Sequence, residues 1–159
     1  MSDVHELLRR TAEFAVDYLR SLPERPVRGG YDDVAALRSA LATALPETGE
    51  DPGEVIELLA EVGGRAAVAT AGPRYFGFVT GGSLPAALAA DWLTSAWDQN
   101  AVLYAAGPAA AVAEEAVGAW LLELFGLPRQ SSYGLVTGCQ MANFTCLAAA
   151  RTAVLGRAG

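Results

Sequence analysis

The sequence predicts an α/β fold in which helices dominate and the sheet is incomplete. Apolar residues recur three to four positions apart along most of the 159 residues, which is the spacing of helices with one buried face. One short apolar run, residues 133–137, suits a buried strand, and a glycine turn and another helical segment follow it directly. Because a strand must pair with a neighbouring strand, we expect this chain to be an unfinished piece whose sheet other residues complete.

Three helices are predicted in the N-terminal half. The first covers about residues 3–22 and has apolar residues at helical spacing. The second begins near Asp33 and ends before Pro46, since proline cannot continue a helix. The third begins at Asp51 and Pro52, a capping residue followed by a proline in the first turn.

The second half begins with a loop and continues with three more helices. Residues 72–85 place aromatic side chains between glycines and prolines, which indicates a loop that packs. We predict helices over residues 86–97, from Pro108 to just before Gly126, and over residues 141–155.

Composition excludes several classes of partner. The formal net charge is −7 and the isoelectric point is about 4.6, which disfavours nucleic acid and anionic membrane surfaces, since both select basic proteins. No apolar run approaches the roughly 20 residues that span a bilayer. The first residues are polar and acidic, unlike a signal peptide. We therefore expect a soluble cytoplasmic protein with no nucleic-acid and no membrane partner.

Few residues of this chain can carry covalent chemistry. All 11 basic residues are arginines, so no lysine can hold an aldehyde cofactor. Cys139 and Cys146 lie seven residues apart, which fits neither a disulfide framework nor a zinc site, and we predict no metal. A nucleophilic Cys139 would need a general base, and the single histidine, His5, lies far upstream; a small residue in a tight loop is the simpler interpretation.

The glycine turn after residues 133–137 is a candidate anion site. At a helix N-terminus the backbone N–H groups are free, and the helix dipole favours negative charge. The candidate donors are the N–H groups of Gly138, Cys139 and Gln140, with the side chains of Thr137 and Gln140. The turn matches neither the P-loop nor the dinucleotide-binding pattern, and an ordinary strand-to-helix connection is the alternative interpretation.

Two stretches resemble one enzyme family. Residues 78–95, FVTGGSLPAALAADWLTS, continue through Asn100 and Tyr104 to Gly107. They resemble the N-terminal active-site segment of the pyridoxal-phosphate-dependent amino-acid decarboxylases, the family of the aromatic-amino-acid, glutamate and histidine decarboxylases. Residues 136–151, VTGCQMANFTCLAAAR, resemble that family's cofactor-phosphate loop and the helix after it.

The resemblance implies a fold type I enzyme with pyridoxal 5′-phosphate as cofactor. Such enzymes have a mostly parallel seven-stranded sheet and work as dimers. Residues 1–71 would be a helical arm that wraps the partner. Residues 72–159 would begin the large cofactor-binding domain, with its first strand and phosphate-loop helix. The implied partners are an amino-acid substrate and either a second copy or a complementary chain.

The resemblance also implies site residues, residue by residue. Cys139 and Gln140 stand where the family more often has serine or threonine, so the backbone donors are retained while the side chains differ. The implied cofactor-binding residues are Thr137, Gly138, Cys139 and Gln140, and the implied substrate-pocket residues are Phe78, Thr80, Asn100 and Val102.

The family's catalytic machinery has no counterpart here. A histidine on the cofactor ring, an aspartate at the ring nitrogen and a covalently attached lysine lie further along such chains. This chain has no lysine, and His5 lies upstream of the phosphate loop. We therefore predict no catalytic residue in this chain and the N-terminal portion of a decarboxylase that is inactive alone. The alternatives are a non-catalytic interaction module, or split subunit, and an independent binder of a phosphate ligand.

Overall fold

The structure, a computed structural model, describes residues 3–158 and is helical, as the sequence predicts. Two helices differ from their predicted bounds by two residues or more: the second begins two residues before Asp33, and the last begins at Cys139 and runs three residues beyond 155. The elements are α1 (Val4–Ser21), α2 (Tyr31–Leu41), α3 (Pro52–Leu58), a π-helical turn (Leu59–Gly63), α4 (Gly64–Ala66), α5 (Pro85–Trp97), α6 (Pro108–Leu124) and α7 (Cys139–Ala158).

The described residues form two compact units, unit 1 (residues 3–89) and unit 2 (residues 90–158), with α5 running across the boundary. The sequence places a boundary at residue 71 instead. That boundary refers to the domains of a larger enzyme, and it stays a prediction. In this structure residues 72–89 belong to unit 1. At the start of this segment, a Cβ on Gly72 would lie 3.1 Å from the Ala69 carbonyl oxygen and 3.3 Å from that of Leu22.

Side-chain caps start two helices of unit 1. Asp51 precedes α3, and its Oδ1 accepts a hydrogen bond from the Gly53 N–H at 2.8 Å. Asp3 precedes α1, and its Oδ1 accepts from the His5 N–H at 3.1 Å. Each cap satisfies one N–H that has no acceptor inside the helix. The N-cap predicted at Asp51 is confirmed.

A close backbone contact joins the segment after α1 to α4. A Cβ on Gly29 would lie 2.5 Å from the Arg65 carbonyl oxygen and 2.9 Å from the Ala66 Cα, so only glycine fits here. The Ala69 N–H donates to the Val27 carbonyl at 2.8 Å, and Ala69 is 2% exposed. This contact forms the small packed centre of unit 1.

Unit 2 turns its chain back at the end of α6. Gly126 has φ of +64°, the left-handed region that glycine adopts without strain. The Leu127 N–H donates to the Leu122 carbonyl at 2.9 Å, and the Gly126 N–H donates to the Glu123 carbonyl at 3.1 Å. This pair of bonds is a Schellman motif, which satisfies the last carbonyls of a helix and redirects the chain.

The strand predicted over residues 133–137 is not formed within residues 3–158. Residues 131–136 have no regular structure, and residues 3–158 contain no strand. Leu135 and Val136 are 55% and 40% exposed. The reason is that a strand exists only as part of a ladder, and no neighbouring segment pairs with this one.

Large apolar side chains remain on the surface of both units. Within residues 3–158 the buried hydrophobic residues are Leu22, Ala69 and Leu122, while aromatic residues such as Phe76 and Trp120 are exposed. Exposed apolar side chains in such number are typical of surfaces that other protein covers. No helix within the described range is long and apolar enough to cross a bilayer.

Candidate functional site

The candidate site is the start of α7. The Ala142 N–H donates to the Gly138 carbonyl at 3.0 Å, so Gly138 stands immediately before the helix. The N–H groups of Cys139, Gln140 and Met141 fall in the first turn, where an α-helix offers them no carbonyl partner of its own. Three neighbouring backbone donors therefore face out of the helix end.

An open depression of about 510 Å³ lies at this helix end. The structure places the four residues predicted to bind a cofactor phosphate next to one another around it. Two residues that the sequence analysis did not name, Met141 and Phe144, complete the wall. The full lining is Thr137, Gly138, Cys139, Gln140, Met141 and Phe144.

The helical spacing of Met141 and Phe144 could have predicted that they line the same site. Phe144 follows Met141 by three positions and Gln140 by four, so the three side chains share one face of α7. Phe144 is 66% exposed. An exposed aromatic beside backbone donors gives the depression one apolar wall, which suits a ligand with a flat ring and a charged tail.

The electrostatics of this helix end favour an anion. No acidic residue occurs in the first turn of α7, so no carboxylate of the helix itself offsets the positive end of its dipole. A Cβ on Gly138 would meet no atom within 4 Å. The donor set, comprising backbone N–H groups, the Thr137 hydroxyl and the Gln140 amide, matches the acceptor oxygens of a phosphate.

Phe78 and Thr80 belong to the aromatic loop of unit 1. Phe78 is 95% exposed, and both Phe78 and Val79 have positive φ, at 54° and 55°. This conformation is rare for bulky and β-branched residues and is typical of sites where the backbone is held under strain. The Thr80 N–H donates to the Gly77 carbonyl at 3.1 Å, which closes the turn.

Asn100 and Val102 belong to an irregular segment of unit 2 and do not line the depression. The Asn100 Oδ1 accepts a hydrogen bond from the Val102 N–H at 3.1 Å. This is an Asx turn, in which the side chain mimics a backbone carbonyl. The role assigned to these four residues in a substrate pocket stays a prediction.

Three further side chains, those of Arg74 and the two cysteines, could take part in binding or chemistry. Arg74 donates a hydrogen bond to the Arg25 carbonyl, so its guanidinium contacts the protein backbone. Cys139 and Cys146 are exposed free thiols. Among residues 3–158 no group of three or more histidine, cysteine, aspartate or glutamate side chains is arranged to hold a metal ion.

Comparison with known proteins gives two matches. Residues 36–158 match the pyridoxal-dependent decarboxylase conserved domain. Over 153 residues the chain is 28% identical to an aromatic-L-amino-acid decarboxylase of Bacillus atrophaeus, in a match that covers 96% of this chain and 32% of that protein. The chain thus spans about a third of the length of the curated relative it matches.

Proposed function

Since the chain belongs to the pyridoxal-dependent decarboxylase family, we propose that it is the N-terminal portion of an L-amino-acid decarboxylase. In this proposal it supplies the phosphate cradle of the cofactor and part of the substrate pocket. The observation that carries the proposal is the depression at the start of α7, which lies inside the matched region and is lined by Thr137, Gly138, Cys139 and Gln140.

Pyridoxal phosphate fits the donors found there. The backbone N–H groups of Cys139 and Gln140 would hold the phosphate, and the Thr137 hydroxyl and the Gln140 amide would add side-chain donors. Phe144 would offer an apolar surface to the rest of the cofactor. When bound, the cofactor supplies the electron sink that the loss of an α-carboxylate requires. The chain's own part is to bind and orient, since its sequence contains no lysine.

The substrate-pocket residues are proposed from the family resemblance. Phe78 and Thr80 of the aromatic loop, and Asn100 and Val102 of the segment before α6, would contribute to the substrate pocket of a complete enzyme. The strained, exposed conformation of Phe78 supports this role, because such backbone strain is concentrated at ligand-binding loops. The name of the Bacillus atrophaeus relative makes an aromatic L-amino acid the first substrate to test.

The remainder of the site is proposed to come from further sequence, either in the same protein or in a complementary chain. In a completed fold type I sheet, residues 133–137 would pair as the first strand, which would cover Leu135 and Val136. The helical arm, residues 1–71, would cover its apolar faces against a second copy. We place the complete enzyme in the cytoplasm.

A non-catalytic interaction module is the second candidate. The observation that favours it is the exposed apolar surface of unit 2, where Trp97, Trp120 and Phe144 are all more than half exposed. A protein of this kind would associate with a decarboxylase subunit through those faces without contributing to the chemistry.

Deoxypyridoxine phosphate tests the cradle directly. This analogue keeps the ring and the phosphate but has no aldehyde, so it reports binding without covalent reaction. We expect the Gly138→Ala variant to bind it about tenfold more weakly, because the added methyl group occupies space beside the phosphate at a cost of order 1–2 kcal/mol. Quenching of tryptophan fluorescence gives the dissociation constants.

Gly156→Ala is the matched control, since a Cβ on Gly156 also meets no atom within 4 Å and lies near the other end of α7. It should bind the analogue like the original chain. Equal affinity for deoxypyridoxine with and without its phosphate would show that the turn does not hold phosphate, and the proposed function would fail.

Complementation separates the two candidates. The chain is mixed with pyridoxal phosphate and the C-terminal two thirds of the Bacillus atrophaeus relative, and release of the amine product is followed. We expect activity only from the mixture. Complex formation without amine release, together with no binding of the analogue, would favour the interaction module.

A further inference from the structure

The Tyr133 ring lies directly on the backbone of α6 at Gly118. A Cβ built on Gly118 would lie 1.9 Å from the Tyr133 Cζ and 2.2 and 2.4 Å from the two Cε atoms. No real side chain tolerates such distances, so the ring occupies the space that any other residue would fill. Gly118 is buried, and Leu122, one turn further on, is the other buried residue of α6.

The route of the chain explains how Tyr133 reaches Gly118. The Schellman motif at Gly126 reverses the direction after α6. The Ser131 N–H then donates to the Pro128 carbonyl at 2.9 Å, which makes a second turn. Gly118 lies eight residues before Gly126, about 12 Å along the helix, and the returning segment covers that distance by Tyr133.

We propose that Tyr133, seated on Gly118, is a positioning residue for the phosphate cradle. The functional part of this inference rests on the proposed function. Residues 134–138 connect the anchored ring to the first turn of α7, where Gly138 accepts the first helical hydrogen bond. A fixed Tyr133 therefore restricts where the backbone donors of Cys139 and Gln140 can lie.

The rest of the connecting segment is loosely surrounded. A Cβ on Gly134 or on Gly138 would meet no atom within 4 Å, and Leu135 is more than half exposed. Pre-organised donors bind an anion more tightly than mobile ones, because ordering them on binding costs entropy. Loss of the ring contact should therefore weaken phosphate binding without removing any group that touches the phosphate.

Hydrogen exchange of the Ala142 amide measures the order of the cradle without any ligand. Its hydrogen bond to the Gly138 carbonyl is the first of α7. We expect Gly118→Ala to accelerate exchange at Ala142 about tenfold, since the methyl group must displace the ring. Tyr133→Ala should also accelerate it, and Tyr133→Phe should stay within about twofold of the original chain, because the contact is made by ring carbons.

A double-mutant cycle isolates the contact. In the Tyr133→Ala background the Gly118→Ala change should alter exchange and affinity by less than about twofold, because the clashing ring is gone. Affinities are measured for deoxypyridoxine phosphate and for deoxypyridoxine. We expect the loss to affect the phosphorylated analogue alone, about tenfold. Gly156→Ala again serves as the control.

The outcomes decide the inference. The inference is overturned if both Gly118→Ala and Tyr133→Ala keep the Ala142 exchange rate and the analogue affinity within about twofold of the original chain. This holds even if the original chain binds the phosphorylated analogue. Equal acceleration near Thr152, in the distal half of α7, would indicate general loosening of the helix and would also overturn it. If the original chain binds neither analogue, the proposed function fails, and the exchange measurements still decide whether Tyr133 orders the turn.

Discussion

Units 1 and 2 hold their loops in different ways. In unit 1, arginine side chains bridge segments that are far apart in sequence: Arg25 donates to the Gly64 carbonyl, and Arg74 donates to the Arg25 carbonyl, 49 residues away. In the described part of unit 2, side-chain hydrogen bonds join residues two or four apart. There the longer-range contact is the Tyr133 ring on Gly118.

Each unit has few buried residues beneath its loops, and each holds those loops by a different kind of contact. Charged donors reach distant carbonyls with long side chains and keep part of their surface in water. A ring on a glycine depends on shape alone and tolerates no added atom. We therefore expect unit 1 to weaken when a donor is lost, and the unit 2 loop to weaken when a methyl group is gained.

Of the changes to unit 1, Gly29→Ala should lower the free energy of unfolding most. The backbone packed against Gly29 leaves no room for a side chain, as the Tyr133 ring does at Gly118 in unit 2. The new Cβ would clash with the Arg65 carbonyl oxygen, and overpacking of this kind costs about 2 kcal/mol. Exchange of the Ala69 amide, which is bonded to the Val27 carbonyl, measures the loss.

Gly49→Ala is the control for that change, since a Cβ there meets no atom within 4 Å. All three tryptophans, Trp92, Trp97 and Trp120, lie in unit 2. The denaturation midpoint that tryptophan fluorescence reports should therefore be the same in Gly29→Ala as in the original chain. A shift of the fluorescence transition in Gly29→Ala would show that the units do not respond separately.

Arg25→Ala should have the next largest effect. The guanidinium stacks on the Tyr18 ring at 4.6 Å and donates to the Ser21 Oγ at 3.2 Å as well as to the Gly64 carbonyl. Loss of these contacts should destabilise unit 1 by about 1.5 kcal/mol. Faster amide exchange over residues 64–75 would be the observable.

Arg20→Ala provides the comparison for Arg25. Its guanidinium pairs at 3.5 Å with Asp17, and both side chains are largely exposed, so the loss should be a few tenths of a kcal/mol. Similar exchange in the two variants would mean that the bridging hydrogen bonds of Arg25 add nothing beyond an ordinary surface contact.

Asp51→Ala should have the smallest effect of the three, about 1 kcal/mol, through loss of the α3 cap. Asp51→Asn keeps a capping oxygen and should retain most of the stability. In unit 2, by contrast, α6 begins after Gly107 without a side-chain cap. Helix content by circular dichroism and exchange over residues 53–58 test both variants.

Local patterns predicted the helices, and they also predicted most of the residues that line the depression of the candidate site. The residues around the depression, Thr137 to Gln140, were named from a glycine turn before a helical segment, because free N–H groups at a helix start follow from helix geometry itself. Met141 and Phe144 were missed, although their spacing placed them on the same face. The positions of Phe78 and Asn100 relative to a pocket could not be derived, because they depend on how separate loops are arranged in space.

The sequence by itself determined the helices, the cap at Asp51, the donors at the start of α7 and the absence of a lysine, because each depends on residues within about one helical turn or on composition alone. Only the tertiary structure decided that Arg25 reaches Gly64, that Tyr133 lies on Gly118, and that residues 133–137 form no strand here. The physical reason is that these outcomes depend on partners distant in sequence, and a ladder or a ring contact exists only when the chain's path brings its partner within reach.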